Sequence, residues 1–71
     1  MKKIAQHRKL YEVLRKHIED GVYKNGDLLP SENDLCRTYS LTRPTVRRAL
    51  ISLSYDGYII TQQGKGSVVQ N

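Results

Sequence analysis

The sequence predicts a mainly α-helical domain that ends in a small two-stranded β-hairpin. Three observations carry that reading. Apolar residues recur at helical spacing in three stretches, about residues 5–20, 32–39 and 43–56. Each stretch is bounded by residues that start or stop helices. Two short β-branched-rich runs then close the chain on either side of a glycine-containing turn. Seventy-one residues make one small domain, 1–71. A chain of that size buries only about 60% of its unfolded surface, so its stability is modest and partners are natural.

In the first stretch Leu10, Val13, Leu14 and Ile18, with Tyr11 beside them, form an apolar face. Glu12 and Lys16 are four apart in the favourable order and are expected to pair. Gly21 is the expected stop. Tyr23 to Asp27 reads as a turn, with Asn25-Gly26 its strongest element. Leu28-Leu29 has room for a very short strand, which Pro30 ends. Ser31 caps the second helix in a Ser-x-x-acid pattern completed by Asp34, which puts negative charge where backbone N–H groups are exposed. That helix turns Leu35 and Tyr39 inward, with Cys36 next to them. After the break at Ser40-Leu41, the third helix starts at Thr42 or Arg43. The residue before proline resists helical angles, whereas Pro44 is tolerated in a first turn. Val46, Ala49, Leu50 and Leu53 face the core and Gly57 ends the helix. Residues 58–62 and 67–69 are the strands, and Gln63-Gly64-Lys65-Gly66 is the hairpin tip.

The charge is unevenly placed. The net charge is +5, but residues 1–36 carry only +1 of it. Residues 37–71 hold Arg37, Arg43, Arg47, Arg48 and Lys65 against Asp56 alone, a net of +4. Such a basic half is the footprint expected of a nucleic-acid binder. No apolar run approaches the roughly 18 residues of a membrane span. No charged-apolar-small leader opens the chain, and the single cysteine, Cys36, forms no internal disulfide, so a cytoplasmic protein is expected. His7 and His17 lack neighbouring ligands and are expected at the surface, so no metal is anticipated. There is no nucleophile–base pair, acid pair or phosphate loop opening a helix; neither an enzyme nor a cofactor is expected.

Helix, short strand, helix, tight turn, helix and hairpin in that order make a winged helix-turn-helix. The helix-turn-helix covers about residues 32–51 and the wing about 58–69. In this arrangement the second helix of the pair lies in the major groove of duplex DNA and the first crosses the backbone. Arg43 then stands at the entering end, where its guanidinium fork matches the two acceptors of guanine. Its alternative is a surface ion pair with Glu32 or Asp34. Arg47, one turn on, suits a base or a phosphate. Arg48 points a further 100 degrees or so around the helix, toward phosphate or plain solvent. Thr42 and Thr45 offer hydroxyls to phosphate or cap the helix, and Pro44 offers only an apolar contact. Gly64 lets the wing backbone approach a minor groove and Lys65 adds charge there, although the hairpin also needs glycine for positive φ. Gln63 is a candidate reader of a minor-groove acceptor. Ile51 and Tyr55 lie one turn apart away from the core, as a docking surface or as ordinary exposed side chains. A winged helix used for protein interaction is therefore the second reading. RNA binding is a third, without the aromatic platform that single strands favour.

The ordered set Tyr11, Ile18, Gly21, Gly26-Asp27, Leu29-Pro30-Ser31-Glu32, Asp34-Leu35, Arg43, Thr45-Val46-Arg47, Ala49-Leu50, Leu53, Gly57 and Gly64-Lys65-Gly66 resembles the N-terminal DNA-binding domain of the GntR family of bacterial transcription regulators. The resemblance covers about residues 8–69. The run from Arg43 to Arg47 and the glycine-rich tip are most similar to the HutC-type branch. The chain departs from the family at Ser40, where glycine is frequent, at Cys36, where alanine is, and at Ile51, where polar residues are common. The resemblance implies sequence-specific binding to duplex DNA and a phosphate contact from Asn33. It also implies a homodimer on an inverted-repeat operator, acting as a repressor or an activator. A small-molecule effector would bind a C-terminal domain following residue 71.

Overall fold

The computed structural model describes residues 5–70. In chain order it contains α1 (Gln6–Glu19), α2 (Glu32–Tyr39), α3 (Arg43–Tyr55), β1 (Ile59–Gln62) and β2 (Gly66–Val69). On α1, Leu10, Leu14 and Ile18 are buried at four-residue spacing. Val13, expected on the same face, is 37% exposed. It lies about 100 degrees from Leu14, outside the narrow stripe that packs on α3. Glu12 does not pair with Lys16 either. Its carboxylate takes Arg15 at 2.6 Å and Arg8 at 3.7 Å, and Lys16 pairs with Asp20 at 3.5 Å. Arg15 also reaches Glu19 at 3.4 Å, because its planar fork can serve two carboxylates where an ammonium is a single point charge.

The connection into α2 is stitched to the second hairpin strand. Leu28 forms an isolated antiparallel bridge with Val68. Around it Gly26 N–H donates to the Val69 carbonyl (2.8 Å), Val69 N–H to Asp27 (2.7 Å) and Leu29 N–H to Ser67 (2.9 Å). The expected short strand is thus a single bridge flanked by matching backbone bonds. Its consequence is positional, since it fixes the start of α2 relative to the hairpin. Ser31 caps α2 by accepting from Asp34 N–H at 3.1 Å. The helix ends at Ser40, whose φ of 56° and ψ of 48° are left-handed.

The helix α3 follows after one intervening residue, Leu41, and its N-cap Thr42. It buries Val46, Ala49, Leu50 and Leu53, the positions chosen by the 3.6-residue period. The hairpin pairs Ile59 with Val69 through to Gln62 with Gly66. Gly66, expected in the tip, therefore belongs to β2. The loop is only Gln63-Gly64-Lys65, because Gly64 at φ 82° turns the chain one residue earlier. One core joins these pieces: the α1 and α3 faces, Leu35 from α2, Leu29 from the connection, and Ile59 and Val69 from the hairpin. Burying each Leu or Ile contributes roughly 1.5–3 kcal/mol. Two polar ties cross the rim, Tyr11 Oη to Asp56 and Tyr58 Oη to Glu19 at 3.1 Å.

His7 and His17, expected at the surface, are half-buried. The Nδ1 of His17 is enclosed without a hydrogen-bond partner, and its ring meets Tyr23 edge-on at 5.9 Å. Residue 17 abuts the Leu14–Ile18 stripe, which draws the imidazole inward. Among the described residues no cluster of His, Cys, Asp and Glu has a metal-binding arrangement, and no helix is long and apolar enough to cross a membrane.

Candidate nucleic-acid interface

The first turn of α3 is built to stay open. Thr42 is its N-cap with extended backbone angles, yet its side chain accepts no backbone N–H. Its hydroxyl instead shares a hydrogen bond of 2.9 Å with that of Thr45. The side-chain cap expected of Thr42 is therefore absent, because the hydroxyl of Thr45, three residues on, competes for it. The turn keeps outward N–H donors of the kind that attract anions. Pro44 occupies the first turn and is exposed.

Arg43 and Arg47 lie one turn apart and converge on Glu32, the first residue of α2. Arg47 donates from Nε to Glu32 Oε2 at 3.2 Å and from Nη2 to Oε1 at 3.1 Å. Arg43 donates from Nη1 to Glu32 Oε1 at 3.3 Å and from Nη2 to the side-chain oxygen of Asn33. So the ion pair foreseen for Arg43 forms, with Glu32 and not with Asp34, whose carboxylate lies 3.5 Å from Arg37. Arg43 and Arg47 remain 52% and 59% exposed, whereas Glu32 is 29% exposed. The hydrogen bond from Arg47 holds the Glu32 carboxyl below its ordinary pKa, and Arg43 adds to the effect. The same bond raises the pKa of Arg47.

Arg48 is exposed and has no ion pair among the described residues, as its position a further step around the helix suggests. At the wing, Gln63, Gly64 and Lys65 are all exposed, and Lys65 N–H closes the turn onto the Gln62 carbonyl at 3.1 Å. A groove of about 590 Å³ runs between α3 and the wing, with Glu32, Leu50 and Tyr55 on one side and Thr61 and Lys65 on the other. The structure thus brings Asn33, Arg43 and Arg47 into one network, with Arg48 and the Thr42–Thr45 pair on the same turns of helix. Of that network only Glu32 shares the groove with Lys65 of the wing tip. Ile51 and Tyr55 are 62% and 90% exposed. The residue that sequence reasoning left out of the site is Glu32. It was visible only as a partner for Arg43, since its bonds join positions eleven and fifteen residues apart across a turn.

A family description, "Bacterial regulatory proteins, gntR family", matches residues 6–69. The chain is 44% identical over 62 residues to the uncharacterized HTH-type transcriptional regulator YurK of Bacillus subtilis (strain 168), covering 87% of this chain and 26% of that protein. It is 42% identical over 69 residues to the probable fructoselysine utilization operon transcriptional repressor of Escherichia coli (strain K12), covering 92% and 28%. The chain therefore spans about a quarter of the length of these curated relatives. Among solved structures, AraR(DBD) in complex with operator ORR3 superposes with a TM-score of 0.92 at 25% identity, covering 96% of this chain and 82% of that one. YtrA from Sulfolobus acidocaldarius, a GntR-family transcription factor, gives 0.83 at 28% identity, covering 92% and 55%. With the match running from the first turn of α1 to the last residue of β2, the chain belongs to the gntR family of bacterial regulatory proteins.

Proposed function

We propose that this chain is the sequence-specific double-stranded DNA-binding domain of a transcription regulator. The first turns of α3 enter the major groove and the tip of the wing follows the minor groove beside it. The observation that carries this reading is the exposure of Arg43, Arg47 and Arg48 on the first turns of one helix, together with Lys65 exposed at the wing tip. A guanidinium offers five donors in a fixed fork, which suits the two acceptors on guanine in the major groove. Arg43 is the base reader, Arg47 serves a base or a phosphate, and Arg48 a phosphate. Thr42, Thr45 and the N–H groups at the start of α3 take phosphate oxygens, as does the Asn33 amide, and Pro44 makes an apolar contact. Gln63, Gly64 and Lys65 meet the minor groove. AraR(DBD), whose fold this chain shares, is described in complex with an operator, which supports reading this chain as a DNA-binding domain.

The relatives are longer, and the proposal extends accordingly. The complete regulator is a cytoplasmic homodimer on an inverted-repeat operator, and a further domain C-terminal to residue 71 binds a small-molecule effector. The reading as a protein-interaction module is not favoured, since the matched relatives are named as transcriptional regulators and repressors. A gel-shift experiment with mixed duplex DNA, single-stranded DNA and RNA at low and moderate salt tests the central statement. Tighter binding to duplex than to single-stranded DNA or RNA is expected at both salts, with all three weakening as salt rises. A preference for either single-stranded DNA or RNA would contradict it.

A further inference from the structure

Glu32 is a carboxylate placed inside a cationic surface, which at first sight weakens any affinity for DNA. Its geometry gives the placement a use. Arg47 meets it through Nε and Nη2, one edge of the guanidinium. The Nη1 nitrogen of Arg47 makes no hydrogen bond among the described residues, so the far end of the guanidinium keeps unused donors. Arg43 meets the same Oε1 atom and is steadied by Asn33. Two long side chains are thus held in one arrangement by a single acid. That acid is itself fixed at the first turn of a helix capped by Ser31.

From this arrangement we infer that Glu32 is a positioning residue that sets discrimination between DNA sequences, by keeping Arg43 and Arg47 paired and off the phosphates while the unused end of the Arg47 fork stays available to a base edge. The inference rests on the reading of the domain as a duplex DNA binder. A phosphate competes for an arginine only by displacing the carboxylate, a cost that falls on every sequence alike. A guanine edge in the right place uses the free end of the Arg47 fork and leaves its carboxylate bond in place, while Arg43, whose Nη1 and Nη2 are both engaged, exchanges its partners for the base. Glu32 therefore lowers affinity for unrelated DNA more than affinity for the preferred site.

The test uses the wild-type chain, Glu32→Gln and Glu32→Asp, with fluorescence anisotropy on two duplexes. One is the sequence that the wild type enriches from a random pool, the other is unrelated. For Glu32→Gln, affinity for the unrelated duplex is expected to rise roughly threefold or more. The slope of log affinity against log salt should steepen there by about one, as a freed arginine takes a phosphate. The ratio of preferred to unrelated affinity should fall about tenfold, the loss of one well-placed arginine contact. Glu32→Asp keeps the charge and should return the salt slope to the wild-type value. An unchanged ratio in Glu32→Gln overturns the inference. So does a ratio that falls only because the preferred duplex binds more weakly, and so does an Asp variant with the slope of the Gln variant. If the wild type shows no preference for any duplex, the reading as a sequence-specific binder itself fails, and that outcome is distinct from all of these.

Discussion

In the free domain Arg43 bonds Glu32 and Asn33 of α2, and the proposed function gives the same side chain a second partner, a DNA groove. The bonds to Glu32 and Asn33 leave the guanidinium half exposed, so under the proposed function the surface pair gives way to a base contact of the same group. Replacing Arg43 with alanine is expected to weaken binding to the preferred duplex by roughly 1–3 kcal/mol and to relax discrimination at one base position. Equal losses on preferred and unrelated duplexes, measured by anisotropy, would refute its base-reading role. Ser40 raises a question of stability instead. It holds φ at 56° without being glycine, a conformation in which a Cβ meets the following carbonyl at a cost of about 1–2 kcal/mol. Ser40→Gly is expected to stabilise the domain by about 1 kcal/mol in urea unfolding. An unchanged or lower midpoint would show that the serine side chain compensates for its backbone.

The elements owe their mutual placement to a few polar ties around the apolar contact of α1 with α3. The Tyr11 hydroxyl donates to Asp56 at the end of α3, and that bond, with burial adding to it, pushes the Tyr11 pKa from 10.0 to about 12. A group whose pKa is raised by folding contributes fully below its unfolded value and loses that contribution as pH climbs through its folded value. Tyr11→Phe is therefore expected to cost about 1 kcal/mol at neutral pH. The gap between the two urea midpoints should narrow as pH is raised from 10 toward 12. A gap that stays constant over that range would show the loss to come from packing rather than from the bond. At the wing, Lys65→Ala is expected to reduce the slope of log affinity against log salt by about one. An unchanged slope would rule out a phosphate or groove contact from the tip. These elements were largely legible in the sequence, because a helix of period 3.6 and its caps write themselves into residue types: Ser31 and Gly57 mark boundaries that the backbone confirms. What could not be read depended on distance in space. Val13 lies on a helical face whose width only α3 defines, and Glu12 chose Arg15 over Lys16 by guanidinium reach. The Glu32 network joins two helices across a turn, so no local spacing announced it.

On the scale of the whole molecule, one small core fixes three surfaces at once: the start of α3, the start of α2 and the hairpin. Leu29, Leu50, Ile59 and Val69 meet in that core, so the exposed arginines and the wing tip are carried on a common support. That is why so short a chain can present a two-part surface. The excess charge of residues 37–71 has the same organisation, since Arg43, Arg47 and Arg48 fall on α3 and Lys65 on the wing. Sequence-independent attraction to duplex DNA follows from the net charge of +5 and weakens with salt; under the proposed function selectivity rests on the geometry around Arg43. The most direct test of the account is selection of bound sequences from a random duplex pool at moderate salt. The account predicts enrichment of a short motif with a fixed guanine, lost at that position in Arg43→Ala. A pool whose composition stays random after repeated rounds, although the domain still retains duplex DNA, would contradict it.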